Sequence, residues 1–392
     1  MKLNLIFITE ALWIGGIETA LVNLINSLDY SRFNVTCLVL RDSLEMAGRI
    51  TPNCRLIVAD RQHAVTFKEA YKYRRMYNLM EEPQGAGTLR RAAWHALRLT
   101  LRAAEARLYA EYIKTQLADE QFDTAVIYSD RAAETAVRAV NAKKFLMFYH
   151  HGAMRREYHD YFGYKKSEKV IAVSAALAEK LRAFRPRYAE KIIAVNNLTD
   201  AKSVRQKSLE PLDTPFDQTK FNIVSCGRLS PAKGMDIAVD ACAELVSSGF
   251  SGFCWHIVGG GPEEGAIRQK IAELGLDDYV VLHGMQPNPY PYIRRADLYV
   301  QPSRFEAYGL TIREAQILGV PVLSTKTDGA SELIESGKTG LLCDCAARSI
   351  AEGVIKLYNE PQTRKSFTVA LSRHSFADDN AAVMRRLYSL FT

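Results

Sequence analysis

Two cations follow a short apolar segment in the second half of the chain. Arg228 and Lys233 lie within the loop 227–234, directly after a predicted strand at 222–226 and before a predicted helix at 235–246. Because glycines flank this loop, backbone N–H groups and the positive end of the helix could face the same anion as the two side chains. The spacing indicates a diphosphate site, and the alternative is a solvated basic loop.

Two acids, Glu306 and Glu314, are separated by seven residues that include Gly309. Gly309 marks the junction between a loop and a helix, which leaves the next backbone N–H groups available to an anion. The Glu314 carboxylate, on the first turns of that helix, could accept two hydrogen bonds from a ribose diol, and Glu306 could accept bonds from sugar hydroxyls. The alternative is that each acid stabilises the helix dipole.

The first half of the chain carries two further candidates. Gly15 and Gly16 lie between a predicted strand at 3–9 and a helix at 17–28, where they could admit an anion or simply form a turn. His151 follows the predicted strand 145–149, and the carboxyl end of such a strand faces the crevice of an α/β fold. A structural histidine bonded to the backbone is the alternative there.

Several familiar nucleotide motifs are incomplete. The glycine run 259–261 has Glu264 where a dinucleotide fingerprint has its third glycine, and the segment 337–339 has Glu332 where a P-loop has its first glycine. The sequence has no Asp-x-Asp pair. We therefore expect neither nicotinamide binding nor a carboxylate site for metal-bound nucleotide.

Short apolar runs alternate with helical patterns along most of the chain. The predicted strands are 3–9, 35–40, 124–128, 145–149, 169–173, 222–226, 254–258, 279–282, 298–301 and 320–323, and the predicted helices are 17–28, 131–141, 175–184, 235–246, 263–274 and 310–318. Unalternated strands between helices are typical of parallel sheets covered on both faces. A polar segment at 196–220, in which Pro211 and Pro215 argue against a helix, places a domain boundary near Leu198.

The composition bounds the possible classes of protein. The chain has 392 residues, 48% hydrophobic and 24% charged, which excludes a disordered, collagen-like or coiled-coil protein. The apolar run at the N-terminus is too short for a signal peptide, and the seven cysteines are scattered. We therefore expect a cytoplasmic protein with reduced thiols.

The net charge of +7 is unevenly distributed, because residues 1–198 hold 30 basic and 21 acidic residues. Residues 68–114 alone contain ten Lys and Arg and five acids, in a predicted amphipathic helix. Its apolar face is Trp94, Leu97, Leu101, Ala104 and Leu108, and its cationic face is Arg90, Arg91, Arg98 and Arg102. Such a surface suits nucleic acid, a phosphorylated substrate or an acidic membrane.

A set of motifs occurs in a fixed order along the chain. They are Gly15-Gly16-Ile17-Glu18, His151-Gly152, Val173-Ser174, Gly227-Arg228-Leu229 with Lys233-Gly234, Gly259-x-Gly261-Pro262, Glu306-x7-Glu314-Ala315, Gly319-x-Pro321, Gly329-x2-Glu332 and Gly340. In this order the chain resembles the family 4 retaining glycosyltransferases of GT-B fold over nearly its whole length. Residues 68–114 belong to none of these motifs.

The resemblance implies an α/β protein with two Rossmann-like domains facing a cleft. The first domain would be 1–198, with the basic helical insertion 68–114, and would bind the acceptor. The second would be 199–375 and would bind a nucleotide sugar. The helix 376–392 would cross back to the first domain.

The resemblance also assigns roles within the cleft. Arg228 and Lys233 would neutralise the diphosphate of the donor without a metal ion, Glu314 would hold the ribose, and Glu306 would hold donor-sugar hydroxyls. His151 would contact the transferred sugar near its reacting carbon. The other expected donor contacts are Gly15, Gly16, Gly227, Gly261, Gly284, Met285, Ala307, Tyr308, Gly309 and Leu310. The nucleotide sugar would be a substrate, and no cofactor is implied.

The resemblance predicts retaining transfer of a hexose-type sugar to a glycan or lipid-linked acceptor in the synthesis of cell-surface polysaccharide, lipopolysaccharide or glycolipid. UDP-sugars are the preferred donors, and a mannosyltransferase dependent on GDP-mannose is the next choice. A sugar-nucleotide epimerase of the same fold is an alternative. Nucleic-acid binding is not expected, since the aromatic motifs of RNA-binding modules are absent. Residues 68–114 could dock on the anionic inner face of the cell membrane, or present a solvated charged face.

Overall fold

The computed structural model of the protein describes residues 1–41, 43–59, 72–73, 75–76, 79–80, 87–152, 154 and 161–392. A first sheet is formed by the strands β1 (Leu3–Thr9), β2 (Phe33–Val39), β3 (Arg55–Val58), β4 (Gln121–Ile127), β5 (Asn141–Tyr149), β6 (Lys169–Ala172) and β7 (Ile192–Ala194). These seven strands are parallel and lie in the order β3-β2-β1-β4-β5-β6-β7.

The second sheet is also parallel. It comprises β8 (Phe221–Cys226), β9 (Phe253–Val258), β10 (Val280–Leu282), β11 (Leu298–Gln301), β12 (Val322–Thr325) and β13 (Leu341–Cys343). Its strand order is β10-β9-β8-β11-β12-β13. Every residue of β8 and of β9 is buried, which confirms that helices cover both faces of this sheet.

The described helices surround the two sheets. They are α1 (Gly16–Asn26), α2 (Thr88–Leu117), α3 (Ala133–Ala139), α4 (Tyr161–Lys166), α5 (Ala175–Phe184), α6 (Ala201–Lys207), α7 (Met235–Ser247), α8 (Glu264–Glu273), α9 (Tyr290–Arg294), α10 (Leu310–Ile317), α11 (Asp328–Leu333), α12 (Ala347–Asn359), α13 (Pro361–Ser372) and α14 (Phe376–Phe391). Helices between parallel strands complete two Rossmann-like units, so the predicted fold class is confirmed.

The last helix, α14, packs against the first sheet although it follows the second. The Phe391 ring meets the Phe7 ring edge-on with centroids 6.0 Å apart. The Tyr388 hydroxyl accepts a hydrogen bond of 3.0 Å from the backbone N–H of Asp29, and the Thr124 hydroxyl donates one of 3.1 Å to the carbonyl of Phe391. The C-terminal end of the chain thus completes the core of the first domain.

The polar segment at 196–220 contains a helix, contrary to the prediction. Helix α6 begins at Ala201 because the Asp200 carboxylate caps it, accepting a hydrogen bond of 2.9 Å from the backbone N–H of Ser203. The helix ends at Lys207, before Pro211, so the prolines limit its length without preventing it.

The basic helix α2 also differs from its predicted amphipathic pattern. Leu101 is buried as expected, but Leu97 is 53% exposed, and Glu105, on the same side of the helix as Leu101, is only 7% exposed. The prediction that residues 68–114 form one helical insertion lies partly outside the described residues.

No helix in the described part of the chain is both long and apolar enough to cross a membrane. All seven cysteines are free thiols.

Candidate active site

The carboxyl ends of the two sheets face each other, and loops from both domains meet there. A Cβ atom built on Gly16 would lie 3.8 Å from Cδ1 of Leu310, and one built on Gly152 would lie 3.3 Å from the backbone nitrogen of Ala307. The glycine loop after β1 and the loop after β5 therefore both contact the segment 306–310 of the second domain. The structure brings together these three groups of residues that the sequence placed far apart.

Lys233 and Glu306 form an ion pair at this edge of the second sheet. The Lys233 ammonium lies 2.6 Å from Oε2 and 2.9 Å from Oε1 of Glu306. Glu306 is 8% exposed and the Lys233 side chain 27% exposed. The loop can reach this position because Gly234, at φ 65°, lies so close to the carbonyl of Pro302 that a Cβ atom would be 2.1 Å from its oxygen.

A chain of buried hydrogen bonds supports Glu306 from behind. The Ser303 hydroxyl donates to Oε2 of Glu306 at 3.2 Å, and the Gln301 side-chain amide donates to Ser303 at 2.8 Å. The hydroxyls of Tyr299 and Thr311 donate to Oε1 of Gln301 at 2.7 and 2.9 Å. In the sequence, the only sign of these hydrogen bonds is that the polar residue Gln301 ends an otherwise apolar strand.

Glu314 is 4% exposed on the second turn of α10. Gly309, at φ 95°, begins this helix, so the sequence located the junction correctly. The Tyr290 hydroxyl donates a hydrogen bond of 3.0 Å to Oε1 of Glu314. Burial raises the pKa of Glu314 from its ordinary 4.5 to about 7, against a smaller opposite effect of the Tyr290 hydrogen bond. Nothing in the sequence links Tyr290 to this site.

Arg228 is exposed at the start of the loop that follows β8. Its charge acts across the cleft on Glu18, which lies on the first turn of α1. Burial raises the pKa of Glu18 to about 7, and Arg228 opposes that rise. Glu18 belongs to the first motif in the sequence but had no predicted role there.

His151 is held by a second carboxylate of the first domain. Its Nε2 lies 3.0 Å from Oδ1 of Asp130, which is 4% exposed. Burial acts to raise the pKa of Asp130, but the hydrogen bond and charge of His151, with help from His150 and Arg131, keep it below its ordinary value. Burial lowers the pKa of His150 to about 3, so its ring is neutral. Asp130 lies two residues beyond the predicted strand 124–128, so the end of that strand was the signal that could have marked it in the sequence.

Two further glycine segments pack against each other beside the cations. A Cβ atom on Gly261 would lie 2.4 Å from the carbonyl oxygen of Leu229, so this glycine allows the loop after β9 to approach the loop of Gly227. The backbone N–H of Gly259 donates a hydrogen bond of 2.8 Å to the carbonyl of Gly284. Met285, 49% exposed, covers this turn, and a Cβ atom on Gly260 would lie 3.5 Å from its Cβ.

The backbone of Tyr308 is enclosed by α11. The carbonyl oxygen of Tyr308 would lie 2.3 Å from a Cβ atom on Gly329, and the N–H of Gly329 donates to the carbonyl of Glu306 at 3.0 Å. The loop 306–309 is thus fixed on one side by α11 and faces the first domain on the other.

The arrangement combines two cations with two buried carboxylates at the junction of the domains. Lys233 and Arg228 can neutralise a bound anion, while Glu306 and Glu314 can accept hydrogen bonds from hydroxyl groups. In the described ranges, no group of three or more His, Cys, Asp or Glu side chains is placed to hold a metal ion. Such a site suits a molecule that carries both phosphate and sugar.

Residues 207–370 match the family model described as "Glycosyl transferases group 1". The chain is similar to the putative colanic acid biosynthesis glycosyltransferase WcaL of Escherichia coli, with 28% identity over 289 residues, which are 68% of this chain and 69% of that protein. It is also similar to the D-inositol 3-phosphate glycosyltransferase of Arthrobacter sp., with 34% identity over 178 residues, 44% of this chain and 42% of that one. The chain thus spans less than half of the second relative.

The fold is similar to that of TarM from S. aureus. The TM-score is 0.72 at 16% identity, and the match covers 100% of both chains. That protein was crystallised as a mutant in complex with fondaparinux, alpha-GlcNAc-glycerol and UDP. At this identity the match establishes a shared GT-B architecture.

Proposed function

We propose that this chain is a retaining enzyme that transfers a hexose-type sugar from a nucleotide sugar, and the match of residues 207–370 to the model for group 1 glycosyl transferases supports this. UDP-sugars are the proposed donors, and a glycan or lipid-linked molecule is the proposed acceptor. The product would belong to a cell-surface polysaccharide, a lipopolysaccharide or a glycolipid, in line with the colanic acid role in the name of WcaL.

The observation that carries the proposal is the Lys233–Glu306 ion pair at the junction of the domains. The lysine would contact the donor diphosphate, and the glutamate would both fix the lysine and accept hydrogen bonds from the transferred sugar. Negative charge grows on the diphosphate as it leaves, so Lys233 and Arg228 would stabilise the transition state more than the ground state.

Glu314 would bind the ribose diol through two hydrogen bonds. The Tyr290 hydroxyl already occupies one lone pair of Oε1 and fixes the orientation of the carboxylate. A fixed carboxylate loses little conformational freedom on binding, which favours affinity. Gly284 and Met285 would face the base, and the backbone at 307–310 would face the sugar and the phosphate.

His151 would contact the transferred sugar near its reacting carbon. Nε2 of His151 donates its hydrogen bond to the Asp130 carboxylate, which fixes the orientation of the ring. Asp130 would act through His151 by holding the ring and its tautomer.

The proposed chemistry is attack from the same face as the departing diphosphate. The bond from the sugar carbon to the phosphate oxygen breaks, the bond to the acceptor oxygen forms, and the acceptor proton passes to the leaving phosphate. The step needs no carboxylate nucleophile. Glu306 is therefore assigned to binding the sugar and to holding the Lys233 ammonium in position.

We also propose that the first turns of α2 bring the enzyme to an anionic membrane. The stretch 88–104 contains Arg90, Arg91, Arg98 and Arg102 and no acid. Leu89 is 88% exposed and Leu97 53% exposed, so apolar and cationic groups share one surface. Such a surface binds anionic lipid through inserted side chains and through about 1 kcal/mol for each basic residue near the headgroups.

Liposome flotation tests the membrane proposal. The protein should float with vesicles that contain anionic lipid and remain at the bottom with neutral vesicles. Arg90→Gln/Arg91→Gln should weaken flotation, whereas Lys338→Gln/Arg348→Gln, which removes two exposed charges from the second domain, should not. Equal behaviour on both vesicle types would refute the proposal.

The donor site is tested by substitution and by ligand screening. Glu314→Ala and Lys233→Ala should each abolish transfer while the protein stays folded, and Glu335→Ala, an exposed acid of the same domain, should not. A thermal-shift screen across nucleotide sugars should show stabilisation by UDP-sugars first, because binding to the native state raises Tm. Full activity in either site variant would contradict the assignment. A product formed without any acceptor would favour the epimerase.

A further inference from the structure

Two sequence motifs that have no role in the proposed donor site meet at a contact between the domains. One is Val173-Ser174, directly before α5 of the first domain, and the other is Gly329-x2-Glu332 in α11 of the second domain. The Oε2 atom of Glu332 accepts a hydrogen bond of 2.8 Å from the backbone N–H of Ala175. The two motifs thus form one contact, which joins helices of different domains.

The first turn of α5 favours an acid at this contact. The helix begins after Ser174, whose buried hydroxyl accepts a hydrogen bond of 3.2 Å from the N–H of Leu177 and so caps the helix. The N–H of Ala175 belongs to the same first turn, where the helix itself provides no acceptor. The positive end of the helix dipole also attracts the Glu332 carboxylate. Glu332 therefore supplies from the second domain an acceptor that α5 lacks.

A second contact joins the same two helices. The Lys180 ammonium of α5 donates hydrogen bonds to both carboxylate oxygens of Asp328, at 2.7 Å each. Asp328 and Glu332 are four residues apart on α11 and therefore lie on the same face of that helix. A single contact would let α11 pivot about one point, whereas two contacts also fix its rotation against α5.

The helix α11 also holds the loop that carries Glu306. The N–H of Gly329 donates a hydrogen bond of 3.0 Å to the carbonyl of Glu306. A Cβ atom on Gly329 would collide with the carbonyl oxygen of Tyr308, so the helix and the loop are in direct backbone contact. A shift of α11 is therefore passed to the loop, and with it to the carboxylate that binds Lys233.

The magnitudes of two effects separate a role in alignment from a role in stability. The Lys180 side chain is 56% exposed, and exposed ion pairs contribute little to the free energy of unfolding. A displacement of a reacting or binding group by about 1 Å, in contrast, can lower a rate by about 10²-fold. The contact between α5 and α11 should therefore matter more for the position of Glu306 than for the stability of the fold.

We propose that Lys180, Asp328 and Glu332 are positioning residues, through which helix α5 of the first domain sets the position of Glu306. While α5 and α11 are in contact, the Lys233–Glu306 pair is aligned with the domain that is proposed to bind the acceptor. This inference rests on the proposed glycosyltransferase function, since it concerns the ligand of the donor sugar in that reaction.

Hydrogen–deuterium exchange of the protein tests this coupling without any substrate. Lys180→Asp changes only the first domain and makes the residue repel Asp328. The N–H of Gly329 should then exchange about three- to ten-fold faster than in the wild type, because local opening costs less free energy. In Lys180→Arg the exchange should equal that of the wild type, since a guanidinium group can still pair with the Asp328 carboxylate.

The matched control is Lys143→Asp. Lys143 is 64% exposed and pairs at 2.6 Å with Asp123 inside the first domain, whereas Lys180 pairs with Asp328 across the domains. The same reversal of charge should therefore leave the exchange at Gly329 and the transfer of sugar unchanged. An unaltered exchange rate in Lys180→Asp, or an equal acceleration in Lys143→Asp, would overturn the proposal.

The kinetics of transfer provide the second measurement. In Lys180→Asp, kcat should fall about ten-fold or more while the Kd for UDP stays unchanged, because the cations proposed for the diphosphate remain in place. A kcat equal to that of the wild type, or a loss of UDP binding in parallel with kcat, would overturn the positioning role. Faster exchange in Lys180→Asp, in a protein whose wild type transfers no sugar, would refute the proposed function alone and leave the coupling of α5 to the loop established.

Discussion

The ammonium of Lys233 and the carboxylate of Glu306 lie 2.6 Å apart although the two residues are separated by 73 positions in the sequence. Glu306 is the more deeply buried partner. Removing the lysine would therefore leave a buried charge whose remaining side-chain hydrogen-bond donor, among the described residues, is the Ser303 hydroxyl.

We predict that Lys233→Ala lowers the free energy of unfolding by about 2–4 kcal/mol, because a buried carboxylate loses its partner. Lys233→Met/Glu306→Gln should recover most of that loss, since it removes both charges together. Neither variant should transfer sugar. Urea denaturation of Lys233→Met, Glu306→Gln and the double variant measures the coupling, and simple additivity of the two single effects would contradict the structural pairing.

Donor affinity should depend on the ionisation of Glu314. The pKa of this carboxyl is about 7, and only the carboxylate accepts two hydrogen bonds from a ribose diol. We therefore predict that the Kd for the nucleotide rises as the pH falls from 8 to 6. Tyr290→Phe removes a bond that lowers this pKa, so it should move the transition to higher pH.

The control for donor affinity is Glu314→Gln, which should bind the nucleotide weakly at every pH with no transition in this range. Titration calorimetry at several pH values gives these constants directly. A transition that persists in Glu314→Gln would assign it to another group.

The pH dependence of stability follows from the same buried acids. Burial raises the pKa of Glu18 and of Glu314 from 4.5 to about 7 in the folded protein. Below pH 4.5 both carboxyls are protonated in the folded and in the unfolded protein. Their full contribution to the free energy of unfolding is therefore present at such a pH. As the pH rises from 4.5 to 7 the unfolded chain loses these protons first, so the free energy of unfolding should fall.

For Glu314 alone this fall is on the order of 3 kcal/mol. Glu314→Gln and Glu18→Gln should each flatten the curve of Tm against pH between 5 and 7.5. Scanning calorimetry without nucleotide measures this, and Glu335→Gln serves as the exposed control. An unaltered slope in Glu314→Gln would show that its carboxyl ionises normally in the folded state.

Asp130 should affect the rate more than donor binding, since it acts through the ring of His151. We predict that Asp130→Asn lowers kcat by about 10–100-fold with little change in the donor KM, as happens when a partner that orients a histidine is altered. Asp119→Asn is a suitable control, because this exposed residue has a positive φ that asparagine tolerates. A change in KM alone would indicate that Asp130 shapes the donor site instead.

Much of the fold could be predicted from the apolar runs. The strand predicted at 3–9 matches β1, and β11 and α5 also have their predicted bounds. Other strands differ by one to four residues at their ends, and the strand predicted at 320–323 is shifted to β12 at 322–325. It can continue to Thr325 because the hydroxyls of Ser324 and Thr325 are buried and bonded to backbone carbonyls. A pattern of hydrophobicity alone cannot show that a polar side chain is satisfied in the interior.

The site was predictable only in part. Strand ends and glycines located Arg228, Lys233, Glu306 and Glu314 near the cleft, because charged side chains after buried strands gather at one edge of a sheet. The partners Tyr290 and Asp130 come from other elements, so only the folded chain brings them to the site. The short edge strands β3, β7 and β13 were not predicted, since three or four residues are too few to show a period.

The position of α14 has a consequence for the order in which the protein can mature on the ribosome. The core around Phe7 and Phe33 is closed by Phe391, which follows both sheets in the sequence. A nascent chain that has completed the first sheet therefore still exposes those two rings until α14 has left the ribosome. The first domain can thus complete its core only after the whole second sheet has been synthesised.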